Sequence, residues 1–363
     1  WENEGASRTN YSLVNFPYLN LGPEDYQYNS GNAGHNAYRS FFGRIMYSWA
    51  DRYMLQANIR SDGSSRFADG HRWGTFPSVS AGWVISEEPW FNKSVINYLK
   101  LRGSIGQLGN ERIGSEFPYQ AKLTFGTGFI PNASTGSSDV VQTAYQTDYA
   151  FNTITWETTT TYGIGADITL LNNRLRASAD YYYKKTTDVI TTAKIPYENG
   201  TTSMAINDGD VKNKGWDLSF SIVPVRTKNF MWSFGTSFSG NDNTVNSKLE
   251  STKDWKVASD GTLNKKGYPV GSFWAFRFTG LDPNHGGPTF DFSRADTRQA
   301  AEDATEYMKY MGTLEPTFTV GINMVFRWKR FSFPLNFYVS RGNYTFLSSP
   351  YSYGFRMMSE YQN

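Results

Sequence analysis

Two adjacent carboxylates, Glu87 and Glu88 in the stretch SEEPW, are the nearest thing in this chain to the acid and base of a hydrolase. Neighbours on an extended backbone point to opposite faces, so the two do not converge and read as a solvated turn. The 3 histidines, His35, His71 and His285, are far apart and lack the spacing of H-E-x-x-H. The glycines of GQLGNERIG (106–114) come without a P-loop lysine and lie where a strand passes into a loop, so they do not cradle phosphate. LDPNHGGPTFD (281–291) offers Asp282, Asn284 and Asp291 as oxygen donors to calcium. It lacks the regular ligand spacing and the final bidentate Glu, and reads as a Gly/Pro turn. There is no G-x-S-x-G elbow, and 0 Cys leaves no thiolate nucleophile, disulfide or Cys-based metal site. A glycoside hydrolase would need an inward-facing carboxylate pair about 5 to 10 Å apart, which a sequence does not place. The expectation is a protein that is not an enzyme and holds neither metal nor cofactor.

Binding chemistry is better represented. Trp73, Trp156, Trp255 and Trp274 lie in segments rich in Gly, Ser, Thr, Asn and Asp. Their rings could stack on a sugar or peptide, or pack within their own loops.

The elements that must hold these residues are strands. Aromatics make up 17% of the chain, with 24 Tyr, 26 Phe and 11 Trp, alongside 33 Gly, a balance that favours strands and turns over helices. YMLQANIRSD (53–62) sets Tyr53, Leu55, Ala57 and Ile59 against Gln56, Asn58, Arg60 and Asp62. That is a ribbon with one apolar and one polar face. RLRASADYYYKK (174–185) and YLKLRGSIGQ (98–107) alternate in the same way. Such segments come in pairs joined by ADR (50–52), NN (172–173), RTKN (226–229) and KR (329–330), the turn residues of hairpins. The connections at the other strand ends run from about 62 to 75, 108 to 155, 186 to 214 and 241 to 316, far beyond the usual ~4 to 6 residues. Strict alternation of short turns and long loops puts the turns at one end of an up-and-down meander and the loops at the other, as in outer-membrane barrels.

The placement of aromatics agrees. Trp49, Tyr53, Phe230, Trp232, Trp328 and Phe331 gather at the short turns, where rings with polar edges suit a membrane interface. The alternating segments reach the ~9 to 11 residues that a tilted strand needs to cross a bilayer. No run approaches the ~18 to 20 apolar residues of a spanning helix, which says nothing against a barrel. With Lys and Arg at 35 against 33 Asp and Glu, and no basic stripe, nucleic acid is not an expected partner. The fold expected is all-β, an antiparallel up-and-down transmembrane β-barrel. The alternative is a soluble all-β carbohydrate-binding module whose alternating faces close a sandwich.

One run makes the family explicit. Residues 44–91 contain an aspartate-arginine-tyrosine turn (Asp51 to Tyr53), R-x-D-G-S-S-R-F (Arg60 to Phe67), G-x-F-P-S-x-S-x-x-W (Gly74 to Trp83) and S-E-E (Ser86 to Glu88). In this order they resemble the SusC/RagA-type TonB-dependent outer-membrane transporters. YLKLRGSIGQLGN (98–110), WETTTTYGIGADITLLNNRLRASADYYYKKTTDVI (156–190) and NDGDVKNKGWDLSFS (207–221) match further on. The resemblance implies a barrel of about 22 strands around a plug. It also implies an extracellular SusD-like lipoprotein lid, energy from the TonB complex, and import of oligosaccharides or peptides across the outer membrane of a Gram-negative bacterium. With about 11 long strands, including TNYSLVNF (9–16), the whole of 1–363 reads as roughly half of such a barrel. It shows no plug-like segment and no signal peptide, and reads as an internal portion of a longer polypeptide. On this reading Asn58, Arg60 and Asp62 face the interior and meet plug or ligand, while Tyr53, Leu55, Ala57 and Ile59 meet outer-membrane lipid.

Overall fold

The computed structural model describes residues 2–8, 27–33, 35–111, 118–131, 138–148, 150–200, 203–246, 255–257, 261–291, 293 and 307–345. β1 (Glu2–Arg8) and β2 (Gln27–Ala33) pair antiparallel. β3 (Tyr38–Trp49), β4 (Tyr53–Ser64), β5 (Trp73–Val84) and β6 (Ile96–Asn110) open the principal sheet. β7 (Lys122–Pro131) and β8 (Ser138–Asp148) stand apart as a pair. β9 (Glu157–Leu170), β10 (Leu175–Lys194), β11 (Ser203–Arg226) and β12 (Phe230–Val245) then rejoin the sheet. β13 (Trp255–Val257), β14 (Leu263–Lys265) and β15 (Ser272–Ala275), the separate hairpin of β16 (Arg277–Leu281) and β17 (Pro288–Asp291), and β18 (Lys309–Thr313) fill the connection that follows. β18 pairs with β15 to complete a small four-stranded sheet. β19 (Phe318–Trp328) and β20 (Phe331–Arg341) end the principal sheet, whose order is β20-β19-β12-β11-β10-β9-β6-β5-β4-β3. Among the described residues its edges β3 and β20 do not pair with each other, so the 10 strands form an open wall. The segment 9–16, expected as a strand, lies outside the described residues.

The alternation in the sequence becomes two continuous surfaces. Directly opposed residues make a row across all ten strands: Trp49, Tyr53, Trp83, Leu101, Ala166, Ala179, Leu218, Phe238, Val320 and Val339. One residue along each strand, the next row reads Ser48, Met54, Gly82, Arg102, Gly165, Asp180, Asp217, Ser239, Thr319 and Ser340. The first row is apolar throughout, and the second is polar or glycine except for Met54. No second sheet covers the apolar face among the described residues. Ile45 is 73% exposed, Ile164 66% and Phe333 61%. A sandwich would have buried these side chains, so the soluble alternative loses its main support.

The rows also reveal a slant. Trp49 is the last residue of β3, at the short-turn end, whereas Val339 lies well up β20, which begins at Phe331. That is a drift of about 26 Å, at about 3.3 Å per residue, over about 42 Å of sheet at about 4.7 Å per step, or a tilt of roughly 30°. Strands of a closed barrel tilt by about 35–45°, so the wall has close to the required stagger.

Turns and loops are distributed as the sequence indicates, with different boundaries. The turn at 50–52 holds Ala50 and Asp51 at φ of 53°, and Leu171, Asn172 and Asn173 are left-handed in the turn before β10. Positive φ at consecutive residues matches the twist of paired strands, and Asn and Asp tolerate it. The loop expected over 62–75 is only 65–72. The segment 186–214, expected as loop, is strand as far as Lys194 and again from Ser203. Its run TTDVITTAK is dense in β-branched residues that suit an extended ribbon, and a bulge between Thr186 and Ile190 bends it. The long connections 108–155 and 241–316 carry β7–β8 and β13–β18.

The buried core lies at the loop end, built by Phe67, Phe76, Ile154 and Trp156. The Phe76 ring crosses from β5 over Gly109 of β6, where a Cβ would collide with it. Gly109→Ala should therefore lower unfolding stability in detergent by about 1–3 kcal/mol. Gly43→Ala, whose Cβ would meet only Ile59 Cγ2 at 3.7 Å, should be close to neutral when both variants are unfolded by urea in detergent.

Candidate functional site

The family motifs gather into one cluster at each end of β4 and β5. At the short-turn end, Glu88 accepts hydrogen bonds from the Tyr53 hydroxyl at 2.6 Å, the Trp83 indole at 3.0 Å and Arg52 Nη1 at 3.3 Å. These four residues come from three separate motifs: the aspartate-arginine-tyrosine turn, the tryptophan closing β5 and the S-E-E stretch. Glu88 is 9% exposed, so it is not the solvated turn residue that the sequence indicates. The Tyr53 hydroxyl above all, then the Trp83 indole and Arg52, holds its carboxyl below the ordinary value against the opposing effect of burial. Glu87 points elsewhere and pairs with Lys93 at 2.8 Å, so the two carboxylates diverge as expected. Trp49 stacks on Tyr53 at 5.6 Å and Tyr53 on Trp83 at 6.4 Å, a belt on the apolar face.

At the loop end, residues 65–72 fold into a compact turn. Ser64 N–H donates to Arg72 O, Ser65 N–H to Ala37 O, and Arg72 Nε to Phe67 O. Phe67 and Phe76 pack on Trp156 at 5.2 and 5.6 Å. Trp156 is 4% exposed and donates its indole N–H to Arg72 O at 3.0 Å. It holds two loops together and offers no face to a ligand, which places it on the packing side of the sequence alternatives. Asn207 adds a second tie, accepting from Thr155 N–H and donating to Thr155 O and Asp188 O.

The other tryptophans go to different places. Trp73 opens β5 opposite Gly63 and stacks on Phe41 at 5.8 Å. By strand parity this is the apolar face, and its ring is exposed there. Trp73 therefore sits in a second aromatic belt, not in a ligand loop. From Trp83 to Trp73 the strand rises by about 33 Å at about 3.3 Å per residue. Tilted by about 30–40°, that spans about 25–28 Å, the height of the apolar band of an outer-membrane barrel. Trp274 packs in the small sheet against Tyr268 at 4.7 Å and Tyr310 at 5.8 Å, with Lys265 Nζ over its ring at 4.9 Å. Trp255 begins β13, and its side chain lies outside the described residues.

The opposite face is polar and bonded sideways from strand to strand. Asn58 donates to Ser78 Oγ at 3.1 Å. Arg60 Nε reaches Asp62 at 2.7 Å, and its Nη2 reaches Tyr38 Oη and Ser40 Oγ at 3.3 Å. The structure thus brings Asn58, Arg60 and Asp62 onto one face, with Asp62 buried beneath Arg60. Further along the wall, Arg102 forks onto Asp167 at 3.1 and 3.2 Å and takes Asp180 at 2.7 Å. This three-strand charge cluster was not singled out from the sequence, where its members are 65 and 78 residues apart. Only the shared face of each alternating segment hinted at it. Ser178–Ser219 at 3.1 Å and Ser239–Asp217 at 2.6 Å continue the lateral bonding. The Asp282 side chain accepts from Asn284 N–H at 2.7 Å, closing a turn between β16 and β17.

Two outcomes follow from the end clusters. A depressed carboxyl stabilises the fold above its unfolded value of about 4.3 and loses that contribution as pH falls through the lower folded value. Glu88→Gln should then convert to the heat-denatured gel form at lower temperature than the parent at pH 7, with the gap narrowing below about pH 4. Trp156→Ala should cost the loop-end core about 3–5 kcal/mol. Limited proteolysis should report it as new cleavage within residues 65–72 while the strands stay protected.

Comparison with known proteins agrees with this architecture. Residues 2–339 match the family described as TonB dependent receptor-like, beta-barrel. The chain is 35% identical over 248 residues to TonB-dependent receptor P39 of Formosa agariphila, covering 68% of this chain and 22% of that protein. It is 31% identical over 334 residues to TonB-dependent receptor SusC of Bacteroides thetaiotaomicron, covering 86% of this chain and 32% of SusC. The chain thus spans between 22% and 33% of the length of the curated relatives it matches. Among solved structures, the RagAB peptide transporter superposes with a TM-score of 0.76 at 23% identity, over 93% of this chain and 38% of that one. With its open ten-stranded meander and two aromatic belts, the chain belongs to the TonB-dependent receptor β-barrel family, as part of the transmembrane wall of a SusC/RagA-type member.

Proposed function

We propose that this wall belongs to an outer-membrane importer of a Gram-negative bacterium, energised by TonB and covered at its loop end by a SusD-like lipoprotein. The cargo is an oligosaccharide or a peptide. The observation that carries the reading is the pair of rows one residue apart, apolar on one side and polar on the other, across every strand of the sheet. Such a wall needs hydrocarbon on one face and water on the other. Its polar groups bond to one another along the sheet, so the inner surface is rigid and hydrated, a suitable lining for a lumen through which bulky polar cargo passes.

The roles of the wall are then to insulate and to position. Asn58 at mid-strand and Arg60, braced by Asp62, nearer the loop end face the lumen, where plug or cargo would meet them. Trp274 and its ring partners stand in the loop region on which a lid would close. Binding at the extracellular face, closure of the lid and displacement of the plug from the periplasmic side complete the cycle.

The full receptor should fractionate with outer membranes, migrate as a heat-modifiable band and co-purify with a surface lipoprotein. Recovery in the aqueous fraction without detergent would overturn the reading. Uptake of labelled oligosaccharide and peptide pools should disappear in a strain without TonB. Arg60→Gln should reduce uptake several-fold with a normal heat-modifiable band. Unchanged uptake would assign Arg60 to wall packing through Asp62.

A further inference from the structure

The link between β5 and β6 is longer than the other short-end turns, and its shape is specific. Residues Ile85–Glu87 form one 3₁₀ turn, and Glu88 N–H and Phe91 N–H then donate to Ile85 O and Glu88 O at 3.0 Å each. Asn92 Oδ1 accepts from Ser94 N–H at 3.0 Å. The link is fastened to the apolar side of the wall, because Glu88 is held by Tyr53 and Trp83, both members of the belt on that face. Beyond this anchor the next side chains are large and apolar. Trp90 is 68% exposed, Phe91 packs its ring against it at 6.1 Å, and Val95 is exposed as well. The exposed Leu171 comes from the neighbouring turn, its N–H bonded to Val95 O at 3.3 Å.

The charges within this link are matched in pairs. Glu87 is matched by Lys93 at 2.8 Å and Glu88 by Arg52 at 3.3 Å. A segment whose charges are paired and whose backbone turns on itself loses little on moving from water to the headgroup zone. An exposed tryptophan gains there, since the indole combines an apolar body with a polar N–H.

We propose that residues Ile85–Val95 form an interfacial foot that lies on the short-turn side of the bilayer, with Trp90 inserted among phospholipid headgroups and glycerol backbones. The occupant is the lipid surface itself, for which the patch is continuous with the aromatic belt of Trp49, Tyr53 and Trp83. This inference rests on the reading that the apolar face meets lipid. It goes further by assigning a membrane contact to a connection outside the spanning strands. Glu88 is the joint that positions the foot, so the same carboxylate that closes the belt sets where Trp90 enters the interface.

The 0 Cys of the chain make it suited to spin labelling. Trp90→Cys, Leu55→Cys and Asn58→Cys would each carry a nitroxide in the full receptor, freed of any cysteine elsewhere and reconstituted in phosphatidylethanolamine–phosphatidylglycerol nanodiscs. The label at 90 should favour oxygen over a water-soluble nickel chelate several-fold relative to the label at 58, at a shallower depth than the label at 55. Equal access at 90 and 58 would overturn the proposal, as would a label at 90 immobilised and closed to both relaxants, which would mark a protein contact. A water-exposed label at 55 would instead overturn the lipid-facing reading on which the proposal rests. Quenching by brominated phospholipid needs no label. The quenched fraction of tryptophan emission should fall in Trp90→Phe, and an unchanged fraction would also overturn the proposal.

Discussion

In a wall one strand thick, every side chain stands on one of two faces, and a slip of one residue in any pairing would exchange them along that whole strand. The structure depends on this register. From Trp49 to Val339 the opposed residues stay apolar through ten strands, and the row beside them stays polar or glycine except for Met54. The backbone ladder supplies the hydrogen bonds, but it is indifferent to register. The difference between the two faces is what makes one register better than its neighbours. Burial of the apolar face falls to the membrane, which is why so few of the described side chains are buried in the protein itself.

The motifs of residues 44–91, the most explicit part of the family resemblance, lock the ends of the wall at β4 and β5. Arg52, Tyr53, Trp83 and Glu88 join two turns at one end of β4 and β5, and Phe67, Phe76 and Trp156 fold a loop onto the other end. A carboxylate accepting three donors and a ring cluster built over Gly109 both demand particular residues at particular places. The middle of each strand asks mainly for a side chain of the right polarity, whereas these two ends demand particular partners.

Between these ends the polar face is organised by lateral contacts. Arg102 holds Asp167 and Asp180 across three neighbouring strands, and serine pairs continue the line. Because these groups remain partly in contact with water, their pairing contributes modestly to stability, on the order of 1 kcal/mol or less for each exposed pair. Their consequence is geometric: charged side chains lie along the wall and leave the space beside it open.

The strands, the two faces and the hairpin turns follow from the sequence alone, because alternation of side chains and left-handed Asn and Asp are local properties. So does the direction of Asn58, Arg60 and Asp62 to one side. What a single segment does not contain is the relation between segments. The tilt of roughly 30° arises from cumulative stagger over nine pairings. Trp73 joins a belt rather than a loop because β5 already begins at Trp73, inside the loop expected to run to about 75. Glu88 is buried because two strands bring Tyr53 and Trp83 to it across 35 and 5 residues of sequence. Residues 186–194 and 203–214 extend as strand because the two halves pair with each other around one bulge, a support that adds to the β-branched content of the first half. Period and polarity are written residue by residue, whereas burial, charge pairing and slant exist only once distant strands lie side by side.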